Sequence, residues 1–205
     1  MMKITALILM FFLSGCTSFL QQPTVNLNKP VNHYLPWTQR KTQLNALQHW
    51  QANGNIAIHT PKSGVNASFS WQQLNANYNL RLFGPFGTQS ILLSGTPQQV
   101  SLVTHNQTYT TQNAERLLAQ QLGLQLPVSA LYYWLRGLPA PQSRYTINLD
   151  AYNRLLQLRQ SHWRINYLHY TNIGNIDIPK HIELSNGQWK VKILVTRWNL
   201  NEVQQ

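Results

Sequence analysis

The sequence is poor in cysteine and in acidic residues, and each shortage removes a class of function. Cys16 is the only cysteine among 205 residues, so an intramolecular disulfide is impossible. The five acidic residues are Glu115, Asp150, Asp177, Glu183 and Glu202. No two of them have the spacing of a paired acid–base site, and a lipidated Cys16 would leave no thiol nucleophile. We therefore name no catalytic residue and expect a protein that is not an enzyme.

Motifs for nucleotides, acyl transfer and metals are also missing. The sequence contains no G-x-S-x-G elbow, P-loop or dinucleotide fingerprint. The seven histidines show neither H-x-x-x-H nor H-E-x-x-H spacing. They are His33, His49, His59, His105, His162, His169 and His181. We expect no metal and no cofactor.

Positive charge is in excess, because 16 lysines and arginines give a formal net charge of +11. Such an excess favours polyanions or anionic membrane surfaces without choosing between them. The basic residues are spread along the chain, with no cluster denser than Arg40-Lys41. We therefore expect no nucleic acid partner.

The N-terminus reads as an export signal rather than a membrane span. A basic head (MMK) precedes the apolar run 4–13, which is shorter than the roughly 20 residues that a bilayer span needs. The following "LSGC" resembles a bacterial lipobox, where the signal is cut before the cysteine and the thiol carries diacylglycerol. This pattern predicts that residues 1–15 are removed and that Cys16 is lipidated. By resemblance to enterobacterial lipoproteins, Thr17 favours the outer membrane.

Residues 16–36 read as a flexible tether, because Pro23, Pro30 and Pro36 oppose regular structure. The remaining residues, 37–205, are enough for one globular domain and too few to suggest several.

Most of this domain shows the two-residue period of β-strands. In "VNASFSWQQ", Val65, Ala67, Phe69 and Trp71 share one face and polar residues take the other. Similar runs occur at 55–59, 78–83, 89–94, 99–104, 145–149, 155–159, 163–168, 181–184 and 189–198. Asn186-Gly187 between two such runs is a strong hairpin signal.

Three segments have helical patterns. We predict a helix over residues 37–52, with Thr38 as a possible cap and Gly54 after its end. "NAERLLAQQLG" ends at Gly123, and "PVSALYYWLRGLP" begins at Pro127. Many short strands with three helices predict a mainly β protein built on a curved antiparallel sheet or barrel. Its bulky apolar side chains require the helices to cover either a solid core or a cavity.

One predicted turn carries an apolar side chain at its tip. Gly84-Pro85-Phe86-Gly87 fits a type I turn, with proline at the second position and glycine at the fourth. Phe86 either folds back against its own strands or meets something apolar outside the protein.

The chain resembles the LolB family of outer-membrane lipoproteins over roughly residues 44–198. The similar stretches are "ALQHWQANGNIAI", "ASFSWQQ…NYNLRLFGPFGTQSILL", "AERLLAQQLGLQLPVSALYYWLRGLP" and "IPKHIEL…WKVKILVTRW", in the family's order. The resemblance implies an unclosed antiparallel barrel of about eleven strands, with about three helices over an apolar cavity for acyl chains.

The same resemblance implies a function. The protein would be a monomeric, lipid-anchored receptor on the periplasmic side of the outer membrane. It would accept acylated lipoproteins from the periplasmic carrier LolA and insert them downhill into outer-membrane phospholipid. The alternative is an envelope lipoprotein of related fold that senses lipids or peptides.

The resemblance also suggests site residues. The family typically has leucine between the proline and glycine of a protruding loop needed for membrane targeting, and Pro85, Phe86 and Gly87 match that loop. For the acyl-chain cavity, the apolar faces provide eight candidates. They are Phe69, Trp71, Leu80, Leu82, Ile91, Leu93, Leu131 and Trp134.

Overall fold

The structure, a computed structural model, describes residues 35–84, 90–105 and 107–200, and within these ranges it contains eleven strands and three helices. The strands are β1 (His49–His59), β2 (Gly64–Leu74), β3 (Asn77–Phe83), β4 (Ser90–Gly95), β5 (Val100–Val103), β6 (Thr108–Thr111), β7 (Tyr145–Leu149), β8 (Leu155–Gln160), β9 (Trp163–Ile173), β10 (Ile176–Ser185) and β11 (Lys190–Leu200). The helices are α1 (Trp37–Asn45), α2 (Ala114–Leu122) and α3 (Val128–Trp134).

All eleven strands form one antiparallel sheet that does not close. The strand order is β6-β5-β4-β3-β2-β1-β11-β10-β9-β8-β7, so β6 and β7 are its two edges. Neighbours in this order are also neighbours in the chain, except at the central pair of β1 and β11. The mainly β, unclosed architecture predicted above is confirmed.

Alternating burial shows which face of the sheet is covered. In β2, Phe69 and Trp71 are buried, whereas Ser68 and Gln72 are exposed. The buried residues of the strands form one core cluster with buried residues of α2 and α3. Val65 shares the parity of Phe69 but is 43% exposed, so the covered face does not extend to the start of β2.

The helices α2 and α3 are predicted well because their ends carry clear signals. Asn113 caps α2, accepting the backbone N–H of Arg116 at 2.7 Å. Gly123 ends α2 in the left-handed conformation at φ 64°. Pro127 precedes α3.

The predicted helix over 37–52 is wrong beyond Asn45, where α1 ends. The chain enters β1 at His49, because Trp50 and Ala52 are buried while Gln51 and Asn53 lie on the other face. Backbone pairing with both β2 and β11 then outweighs local helix propensity. Thr38 is not the cap either, since Pro36 holds that position.

Strand β6, which pairs with β5, is not predicted from the sequence. Its residues, "TYTT", include one apolar side chain, so no hydrophobic alternation marks the segment.

Gly54 lies inside β1, at a point where only glycine fits. The register between β1 and β11 shifts between Asn53 and Gly54. A Cβ atom on Gly54 would lie 2.0 Å from the carbonyl oxygen of Leu194. The missing side chain therefore allows the close approach of the two strands that join the halves of the sheet.

We predict that Gly54→Ala lowers the free energy of unfolding by about 1–3 kcal/mol, because the new methyl group must push β1 and β11 apart. Urea unfolding followed by tryptophan fluorescence measures the change. Gly64→Ala is the matched control, since a Cβ there meets nothing nearer than 3.6 Å. Equal stability of the two variants would contradict this explanation.

Candidate functional site

An apolar cavity lies between the sheet and the helices. Its lining comes from β1–β4 and β11 on one side, and from α2, α3 and their connection on the other. The lining residues are Ile56, Phe69, Trp71, Leu80, Leu82, Ile91, Leu93, Leu118, Leu124, Leu126, Val128, Leu131, Leu135 and Ile193. The one polar group among these side chains, the indole N–H of Trp71, donates to Gln73 Oε1 at 3.1 Å. The lining therefore favours hydrocarbon.

The cavity is nearly filled by its own side chains. Its free volume is ≈ 40 Å³, enough for a few water molecules. Pockets that hold drug-sized ligands have about 300–1,000 Å³. An acyl chain could enter only if the helices moved away from the sheet or the lining side chains rearranged.

Seven of the eight residues predicted for the cavity belong to this lining, and Trp134 does not. Trp134 is completely buried elsewhere, where its indole N–H donates to Gln160 Oε1 at 2.8 Å. Its ring also lies 6.3 Å from the ring of Trp163 in β9, so it faces the part of the core under β8 and β9.

Other lining residues are not among the eight that were predicted, for identifiable reasons. Val128 and Leu135 continue the helical spacing of Leu131, a pattern that could have identified them. Ile56 and Ile193 are directly opposed across β1 and β11, a pairing that only the strand order reveals.

The cavity approaches the sheet end where β3 stops and β4 starts. Leu82 and Ile91 are cross-strand partners, and both are only partly buried. One pair further along, Phe83 is opposite Ser90. Residues 85–89, which include the predicted loop residues Pro85, Phe86 and Gly87, lie outside the described residues, as does Cys16.

A buried arginine ties the end of α3 to the end of α1. Arg136 is 1% exposed, and its guanidinium donates to the carbonyl oxygens of Leu44 at 3.1 Å and Leu47 at 2.8 Å. The guanidinium carbon also lies 4.0 Å from the ring centroid of Tyr132. Burial lowers the pKa of Arg136.

Two further polar contacts hold α1 and α3 against the strands. Arg40 of α1 forms a buried ion pair with Asp177 of β10 at 2.9 Å. The hydroxyl of Tyr167 donates to the carbonyl oxygen of Trp134 at 3.0 Å, and burial raises the pKa of Tyr167 far above its usual range. Its hydroxyl therefore stays protonated and remains a donor.

The helices α2 and α3 and their connection cover the cavity, and the α2 side of this cover is held differently. Glu115 accepts the backbone N–H of Ser129 at 2.9 Å, a bond that joins α2 to α3 rather than to the sheet. Burial, and to a smaller extent the charge of Glu115, raises the pKa of Tyr78 to about 12. Leu117 and Leu118 of α2 enter the apolar core.

Among the residues that the structure describes, no three His, Cys, Asp or Glu side chains come together as a metal site. Within the same ranges, no helix is long and apolar enough to cross a bilayer.

The chain is similar to known proteins over most of its length. The family model described as "Outer membrane lipoprotein LolB" matches residues 48–198. A relative from Coxiella burnetii (strain RSA 493 / Nine Mile phase I), named outer-membrane lipoprotein LolB, is 40% identical over 187 residues, covering 91% of this chain and 87% of the relative. A Pseudomonas fluorescens protein of the same name is 36% identical, covering 91% of this chain and 90% of the relative.

Solved structures share the fold at low sequence identity. A putative outer membrane lipoprotein-sorting protein domain from Vibrio parahaemolyticus has a TM-score of 0.55 and 8% identity, covering 82% of this chain and 92% of that one. A LolA superfamily protein from Nitrosomonas europaea has a TM-score of 0.50 and 12% identity, covering 82% and 95%. Family match, sequence identity and coverage agree, and the chain belongs to the LolB family of outer-membrane lipoproteins.

Proposed function

We propose that the protein is an outer-membrane lipoprotein receptor, which accepts acylated lipoproteins from the periplasmic carrier LolA and inserts them into the inner leaflet of the outer membrane. The main structural support is the wholly apolar lining between sheet and helices. The names of the relatives support the outer-membrane location. The proposal includes no catalytic step and no cofactor.

In this proposal the described structure is the closed form of the receptor. Its ≈ 40 Å³ of free space cannot hold an acyl chain, so the cover has to open. Arg136 and Tyr167 fasten the C-terminal end of α3 through hydrogen bonds. Since α2 meets the core through apolar side chains, we propose that α2 and the connection to α3 move outward.

Transfer needs no nucleotide if each step is downhill. Burying one CH₂ group contributes about 0.8 kcal/mol, so a lipoprotein with several acyl chains cannot cross water unaided. The chains would move from carrier to receptor if the receptor lining held them more tightly. They would then leave for the bilayer if lipid held them more tightly still.

The remaining parts of the proposal concern the membrane. Cys16 would carry the lipid anchor that holds the domain on the periplasmic side. Phe86, between Pro85 and Gly87, would bring the open end of the cavity to the bilayer, since burying one phenylalanine contributes about 1.5–3 kcal/mol. Phe83 and Ser90, which flank this segment, are paired at the sheet end that Leu82 and Ile91 approach.

We predict that Phe86→Glu accepts acylated cargo from the carrier like the wild type but delivers it to liposomes roughly ten- to a hundred-fold more slowly, because a carboxylate cannot enter hydrocarbon. Uptake and delivery are measured separately with purified carrier loaded with an acylated lipoprotein.

Phe86→Leu is the matched control and should deliver at near the wild-type rate. Failure of the wild type to take cargo from the carrier would remove the receptor function. Normal uptake without delivery by the wild type would favour the lipid-sensing alternative.

We predict that the double change Leu82→Gln and Ile91→Gln weakens uptake of acylated cargo roughly ten-fold or more. An acyl chain bound there would bury the two amides without hydrogen-bond partners, which costs free energy. Both residues are only partly buried, so the fold should tolerate the change. Transfer from loaded carrier, followed by co-purification, gives the measurement.

The paired control is Leu156→Gln with Leu194→Gln, two leucines that are 37% and 40% exposed and lie outside the cavity lining. Circular dichroism checks that both double variants are folded. Unchanged uptake by a folded Leu82, Ile91 variant would mean that this lining does not bind the cargo.

A further inference from the structure

A second concave surface, separate from the apolar cavity, is strongly basic. This groove encloses ≈ 620 Å³ and is lined by Arg144, Arg159, Arg164 and Lys190, with no carboxylate in its lining. All four of these side chains are exposed. The groove is therefore a preformed region of positive charge that faces water.

The groove is assembled by strand register and not by sequence proximity. Arg159 of β8 is directly opposite Arg164 of β9. Arg164 is opposite Ser185 of β10, which is in turn opposite Lys190 of β11. Three cationic residues thus lie along one line across four strands, about 14 Å from end to end at ordinary strand spacing.

This arrangement costs stability, because like charges directly opposite each other on a sheet repel. Within the described part of the chain, none of these groove cations forms an ion pair. Arg159 donates to the neutral side chain of Gln157 at 3.1 Å, which does not balance its charge. An anion from outside the described part of the chain would balance it.

The described acidic residues lie away from the groove or are engaged. Asp150 follows β7, Asp177 is at the start of β10, and Glu115 follows β6, which places all three at the opposite end of the sheet. Glu183 is paired with Lys192 at 3.0 Å. The described carboxylates therefore leave the charge of the groove unbalanced.

The groove lies at the sheet end where β3 stops at Phe83 and β4 starts at Ser90. This follows because successive hairpins of an antiparallel sheet alternate between its two ends.

We propose that the groove docks the anionic headgroups of a phospholipid bilayer while cargo is delivered, an inference that rests on the proposed function. Tyr145, which lines the groove and is 40% exposed, is of a type enriched at membrane–water interfaces.

The test compares binding to phosphatidylglycerol-containing vesicles with binding to vesicles of phosphatidylcholine alone. The chain from residue 16 onward is used, with Cys16→Ser in every sample, so that neither the apolar signal segment nor an acyl anchor contributes. Arg159→Gln with Arg164→Gln should weaken binding to the anionic vesicles about thirty-fold, and should leave the weak binding to neutral vesicles unchanged. High salt should remove the difference.

Arg144→Gln with Lys190→Gln is a second groove variant and should behave in the same way. Arg116→Gln with Arg197→Gln is the control, because it removes the same charge from exposed side chains towards the other end of the sheet. Thermal unfolding confirms that all variants are folded, and uptake of cargo from the carrier is measured in parallel.

Loss of anionic-vesicle binding in both groove variants, with cargo uptake retained, would support the inference. Equal binding by groove and control variants would overturn it, since net charge alone would then account for binding. Loss of cargo uptake with unchanged vesicle binding would also overturn it and indicate docking to an acidic protein. Failure of the proposed function would show as a wild type that binds these vesicles but neither accepts nor delivers cargo.

Discussion

The structure depends on the fact that the two edge strands of its sheet, β6 and β7, do not pair with each other. A closed barrel of this size would cover its own interior with strands. Here the concave face is apolar and open, and burying it requires the chain between the edges, which carries α2 and α3. A cover made of separate helices can move without breaking the strand ladder, which is a requirement for loading large acyl chains.

The polar contacts of the cover are distributed unevenly. Arg136, Arg40 and Tyr167 hold α1 and the end of α3 to each other and to the strands, through charge-assisted or fully buried hydrogen bonds. From α2 to α3 the lining side chains are apolar, and the hydrogen bond from Ser129 to Glu115 joins these two helices to each other rather than to the sheet. Replacing apolar contacts by contacts with an acyl chain changes the free energy little. A buried guanidinium that loses its hydrogen-bond partners, in contrast, loses much of its stabilisation.

Much of the fold could be predicted because burial on one face imposes a two-residue period, as in Phe69 and Trp71. Capping residues such as Gly123 defined α2 equally well. Local sequence patterns gave the wrong secondary structure where pairing with distant strands determined it. Trp50 to Ala52 continue a helical pattern in sequence, yet they pair with two strands at once.

The functional surfaces show the same division. Strand periodicity found Leu82 and Leu93 for the cavity, but it could not find Ile56 opposite Ile193. The basic residues look scattered in sequence, and only the register of β8 to β11 brings Arg159, Arg164 and Lys190 together. Sequence identifies the faces of strands, whereas their order in the sheet determines which faces meet.

The central claim is that the apolar lining takes up the acyl chains of the cargo, and photo-cross-linking tests it most directly. A photoreactive p-benzoylphenylalanine would replace Leu82 in one sample and the outward-facing, 37% exposed Leu156 in another. After transfer of an acylated lipoprotein from its carrier, mass spectrometry should find the acyl chain attached at position 82 and not at position 156. Cargo that is accepted and delivered with no acyl adduct at position 82, or with equal adducts at both positions, would contradict the account.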